Sequence, residues 1–70
     1  MAGSVARVTE ISARSDTSFE DATKLGVSRA TQTLRNLRSA WVKEMRVDIA
    51  DGQITGYQVN LLVTFELEDG

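Results

Sequence analysis

Tyr57-Gln58-Val59-Asn60-Leu61-Leu62-Val63-Thr64-Phe65-Glu66-Leu67-Glu68 is the most regular alternating segment of the chain. Its odd positions are Tyr57, Val59, Leu61, Val63, Phe65 and Leu67; its even positions are Gln58, Asn60, Leu62, Thr64, Glu66 and Glu68. Successive side chains of a strand point to opposite faces, so this pattern predicts one long strand whose odd face meets the core. Glu66 and Glu68 alone would be thin protection for an exposed edge, which predicts a central place in the sheet.

Upstream of that strand, Asp51-Gly52 supplies the chemistry of a tight hairpin turn, and Gly56 is a second soft point. The partner strand is Ala40-Trp41-Val42-Lys43-Glu44-Met45-Arg46-Val47-Asp48-Ile49, in which Met45, Val47 and Ile49 alternate with Arg46 and Asp48. Ala40 and Val42 are apolar at the opposite parity, so the inward face is expected to switch through a bulge near Lys43-Glu44. Further back, Thr17 with Glu20 and Ser18 with Asp21 form two overlapping capping boxes that open a helix. From Phe19, the residues Ala22, Gly26, Ala30, Leu34 and Leu37 recur at spacings of three and four, with Leu25 and Val27 beside them. Lys24, Arg29, Gln32 and Arg35 take the opposite side, which predicts one amphipathic helix of about five turns. Its small residues let it lie close to a sheet. The first strand is Val5-Ala6-Arg7-Val8-Thr9-Glu10-Ile11, closed by the turn-like Ser12-Ala13-Arg14-Ser15-Asp16.

The expected fold class is therefore α+β with the order β-α-β-β, a three-stranded antiparallel sheet whose third strand lies between the first two and covers one side of the helix. No proline, linker, repeat or low-complexity tract divides the 70 residues, so residues 1–70 read as a single domain.

Composition narrows the chemistry. The chain has no Cys and no His, which removes disulfides, the usual zinc ligands, a Cys or Ser-His nucleophile and an imidazole base. This argues against an enzyme. The formal charge of -2 lacks the basic footprint of a nucleic-acid binder. The first residues lack the basic start and apolar core of a secretion signal, and no apolar run matches a membrane span, so a cytoplasmic protein is expected. Domains below about 70–80 residues rarely draw more than about 3–5 kcal/mol from one core unless stapled by disulfides, metal or association. Self-association is the staple this composition leaves.

Two features carry the candidate site. Gln58, Asn60, Leu62 and Thr64 form a neutral row on the even face, where a freely solvated surface would more often carry Lys and Glu; the row is either plain half-polar surface or a face covered by another subunit or a ligand. Trp41, the single tryptophan, either caps the small core or offers a flat stacking platform on that outer face. The acids Asp48, Asp51, Glu66, Glu68 and Asp69 follow no EF-hand spacing, and no metal site is expected.

The order of elements, the length and several strings converge: Arg7-Val8-Thr9-Glu10-Ile11, Ser28-Arg29-Ala30-Thr31-Gln32-Thr33-Leu34-Arg35-Asn36-Leu37, Asp51-Gly52-Gln53, Tyr57-Gln58-Val59 and Phe65-Glu66-Leu67-Glu68-Asp69. Together these resemble the dodecin family over nearly the whole chain. The resemblance implies a hollow homododecamer built from trimers, each sheet partly wrapped around its helix. It also implies that riboflavin, FMN or a related flavin is held at two-fold interfaces for storage, sequestration or photoprotection. A tryptophan then stacks on the isoalloxazine and a glutamine bonds its pyrimidine edge.

By position, Gln58 matches the family glutamine. Flavin-binding members typically read Leu-Asp-Trp-Phe-Glu-Val after the helix, whereas this chain reads Leu37-Arg38-Ser39-Ala40-Trp41-Val42. Ser39 thus takes the usual tryptophan position, and Trp41 falls two residues later on the same face, displaced by about 6–7 Å. Glu66 stands where bacterial members often carry Arg, so riboflavin is expected to be favoured over FMN, with weaker binding than in members with the standard tryptophan. The alternative is a dodecamer that has lost flavin binding and serves as a structural shell, or binds another small molecule or a cation.

Overall fold

A computed structural model describes residues 3–67. Its order is β1 (Ala6–Ser15), α1 (Phe19–Thr33), β2 (Leu37–Ala50) and β3 (Gln53–Glu66). The three strands form one antiparallel sheet in the order β1-β3-β2, so the regular terminal strand is central. Val59, Leu61 and Val63 are its fully buried residues, facing Ala22, Gly26 and Ala30 of the helix. Burying such side chains stabilises by about 1.5–3 kcal/mol each. The small helical residues set the distance: a Cβ on Gly26 would stand 3.0 Å from Leu61 Cδ1 and 3.1 Å from the Ala13 Cβ, so α1 lies almost on the sheet.

Ser18 caps the helix, its hydroxyl accepting the Asp21 N–H at 2.9 Å. Of the two overlapping boxes, then, the chain uses the second. The Asp21 carboxylate does not close that box; it accepts the Ser15 hydroxyl at 2.6 Å, tying the end of β1 to the helix start.

Several details differ from the sequence expectation. The first strand does not stop at Ile11 but runs to Ser15, because the stretch that looked like a turn pairs with β3: Ser12 opposite Asn60, Ala13 opposite Val59, Arg14 opposite Gln58. The helix is 15 residues long and ends at Thr33, short of Leu37. Leu34 leaves it with extended backbone and Asn36 turns the chain through a positive φ of 60°, so Leu37 meets the core as the first residue of β2, opposite Phe65. Leu34 and Leu37 keep helical spacing while belonging to a turn and a strand. At the far end Leu67 lies beyond β3 and is exposed, while Glu68 and Asp69 fall outside the described residues. Gly56 is no soft point: it sits inside β3 opposite Asp48, and the Arg14 guanidinium lies across it where a side chain would otherwise be.

The turn and the bulge fall where expected. Asp51 and Gly52, at φ 52° and 74°, form the two-residue turn of the β2–β3 hairpin. The pairing shifts between Val42 and Glu44, which puts Ala40 and Val42 before the bulge, and Met45 and Val47 after it, on the helix side. The hairpin strands have 14 residues each, about 46 Å of chain against about 22 Å for the helix, so the hairpin overhangs it.

Candidate functional site

The register places the candidate residues. Trp41 stands opposite Leu62, Ser39 opposite Thr64, Glu44 opposite Asn60 and Arg46 opposite Gln58, all with the even residues of β3 on the face away from α1. Trp41 and Gln58 therefore share the outer face, and Trp41 is no part of the core: half of its surface is exposed. Four residues of β3 separate their rungs, about 13 Å along the strand. Ser39 lies one further rung out. Trp41 consequently stands nearer to Gln58 than a side chain at position 39 would.

Polar side chains border this platform in specific pairs. Arg14 crosses from β1 to β2, its Nε donating to Asp48 Oδ2 at 2.7 Å and its Nη1 to Asp16 Oδ1 at 3.0 Å. These partners, Asp48 first, raise the guanidinium pKa above its ordinary value. Lys43 Nζ reaches Glu10 Oε1 at 3.1 Å from the bulge. Between these ion pairs Asn60 Oδ1 accepts both the Ser12 hydroxyl at 2.8 Å and Gln58 Nε2 at 3.1 Å.

Glu66 is not a solitary carboxylate. Arg38 Nε donates to its Oε2 at 2.7 Å, so the negative charge expected from the sequence is met by a cation from β2. The sequence named Trp41, Gln58, Ser39 and Glu66 as candidates, with Asn60 in the same neutral row, but gave no sign of three further contacts: Arg38 with Glu66, and Ser12 and Glu44 with Asn60. Those contacts span 16 to 48 residues and become visible only once the register is known.

The other side of the sheet carries an apolar groove of about 790 Å3 between α1 and β2, bordered by Val27, Leu34, Ala40, Val42 and Leu61. Among the described residues, no group of three or more Asp or Glu is gathered to hold a metal ion. Among the same residues no helix is long and apolar enough to cross a membrane.

One helix lying in a long three-stranded sheet, with a half-exposed indole and an amide on the outer face, is the arrangement of a small binding fold. The dodecin family model matches residues 5–68, and the chain belongs to the dodecin family. It is 37% identical over 67 residues to the dodecin of Thermus thermophilus, covering 96% of this chain and 97% of that one. The structure of dodecin from Streptomyces coelicolor superposes with a TM-score of 0.90 at 38% identity, over 100% of both chains. The calcium-chelating calcium dodecin of Mycobacterium tuberculosis, with a novel calcium-binding site, superposes with a TM-score of 0.79 at 32% identity over 96% of each chain.

Proposed function

We propose that this dodecin assembles as a homododecamer of trimers in the cytoplasm and sequesters a flavin on the outer sheet face, for storage or photoprotection rather than turnover. The observation that carries the reading is the shared face of Trp41 and Gln58, fixed by the pairing of Trp41 with Leu62 and of Arg46 with Gln58. Trp41 supplies the stacking surface and Gln58 the polar contact to the pyrimidine edge. A flat ligand lying on one open sheet keeps its other face in water, so a second copy of this face closes the site. Flavin would supply the chromophore. Trp41 can donate an electron to it in its excited state and take the electron back, quenching without net chemistry.

The fit departs from the family pattern at Ser39, a small hydroxyl where a large aromatic is usual, so the stack rests on Trp41 alone and binding is weaker. Riboflavin is favoured over FMN, but modestly, because Arg38 offsets much of the repulsion that Glu66 would exert on a phosphate.

Titrating the protein with riboflavin while following flavin fluorescence, with light scattering on the same sample, tests the proposal. Quenching at micromolar protein by a twelve-chain particle supports it. A twelve-chain particle without quenching would instead favour the second reading, drawn from Ser39, of a shell that has lost flavin and holds another small molecule or a cation. A single folded chain would remove both.

A further inference from the structure

The amide of Gln58 is a two-sided group: one end donates and the other accepts, and a free side chain on a surface presents either. Here its orientation is set from the neighbouring strands. Glu44 stands opposite Asn60 because the bulge after Val42 turns it to the outer face. An ionised carboxylate only accepts, so Asn60 must turn its Nδ2 toward Glu44 Oε1, at 3.4 Å. That leaves Asn60 Oδ1 facing the other way, where it accepts the Ser12 hydroxyl at 2.8 Å and Gln58 Nε2 at 3.1 Å. One N–H of the Gln58 amide is thereby committed to Asn60, which leaves its carbonyl and second N–H for a ligand.

We propose that Glu44, acting through Asn60, is a positioning residue that locks Gln58 carbonyl-outward, so that the site selects ligands with a cyclic imide edge, an N–H flanked by carbonyls. Such an edge donates to the Gln58 carbonyl and accepts from its free N–H. A ring whose corresponding nitrogen carries a methyl group cannot donate and loses the contact. Glu44 touches no ligand in this scheme; Ser12 anchors the same Asn60 oxygen from β1 and makes the orientation a property of all three strands. The lock rests on the flavin reading for its ligand, but not for its geometry.

The isosteric variant Glu44→Gln separates the two. A glutamine both donates and accepts, so Asn60 is free to flip and Gln58 with it, while size and fold are kept. Riboflavin affinity is expected to fall about threefold to tenfold, the scale of one hydrogen bond, while affinity for N3-methylriboflavin stays unchanged. Equal losses for both ligands would overturn the proposal, since they would mean a general loosening of the site. The ligand-free protein gives an independent readout. The side-chain amide of Gln58, followed by NMR relaxation, should be restrained in the native chain and mobile in Glu44→Gln and Asn60→Val. An amide equally mobile in all three would overturn the lock even if riboflavin binds, and a restrained one would sustain it even if riboflavin does not, which would place the failure with the flavin reading alone.

Discussion

The helix-facing sides of β3 and β2 belong to one sheet and carry similar residues, yet they end in opposite environments. Val59, Leu61 and Val63 of β3 are closed off by Ala22, Gly26 and Ala30, while Val42 and Met45 of β2, directly opposite Leu61 and Val59, remain 44% and 54% exposed. The helix lies chiefly over β1 and β3 and touches β2 far less. Ile49 and Ile54, at the overhanging end of the hairpin, are exposed as well. Hydrophobicity alone therefore does not decide burial here: the length and placement of one helix do. A chain of this size finishes half a core and leaves the other half as an apolar surface, the kind that neighbouring copies cover.

The strongest way to break that comparison is a charge on the unfinished half. Val42→Asp replaces a side chain that is 44% exposed in the single chain, where the cost should be about 1 kcal/mol and leave the chain folded. In an assembly that buries this surface, the same substitution should disperse the particle, seen as a shift to single chains in size-exclusion chromatography. On the finished half, Leu61→Ala should cost about 2–5 kcal/mol through the cavity it leaves under the helix, read as an earlier urea midpoint. If the two variants exchanged behaviours, the division of the sheet would be wrong.

How far the sequence discloses this division depends on the range of the interactions. Local rules narrowed the helix cap to Thr17 or Ser18 and located Asp51-Gly52 as the turn and the bulge near Lys43-Glu44, each governed by residues within a few positions. The alternation of β3 located the core. Periodicity misled where two structures share a spacing: Leu34 and Leu37 continue the helical rhythm but leave the helix, and Ser12-Ala13-Arg14 has the composition of a turn but pairs as a strand. For the site, parity alone left Trp41 open between the core and the outer face; the pairing of Trp41 with Leu62, before the shift after Val42, is what puts it on the face of Gln58. Parity could not disclose that Glu66 is bonded to Arg38 or that Ser12 and Glu44 bond Asn60, because those contacts follow from strand register.

Two smaller effects extend the contrast to the outer face. Trp41→Ala removes the half-exposed indole, and riboflavin affinity should drop by about tenfold or more with loss of quenching, measured by fluorescence titration, while the particle stays assembled. Arg38→Ala leaves Glu66 unpaired. Because both groups are partly exposed, the change should be at most about fivefold, seen as weaker FMN binding relative to riboflavin and fading as salt is raised.

The central claim is that β2's bare apolar side is covered by further copies of the chain. Sedimentation equilibrium of the purified protein at low micromolar concentration tests it most directly. The account predicts a single species of twelve chains that persists on dilution; a species with the mass of one chain and a cooperative unfolding transition would contradict it.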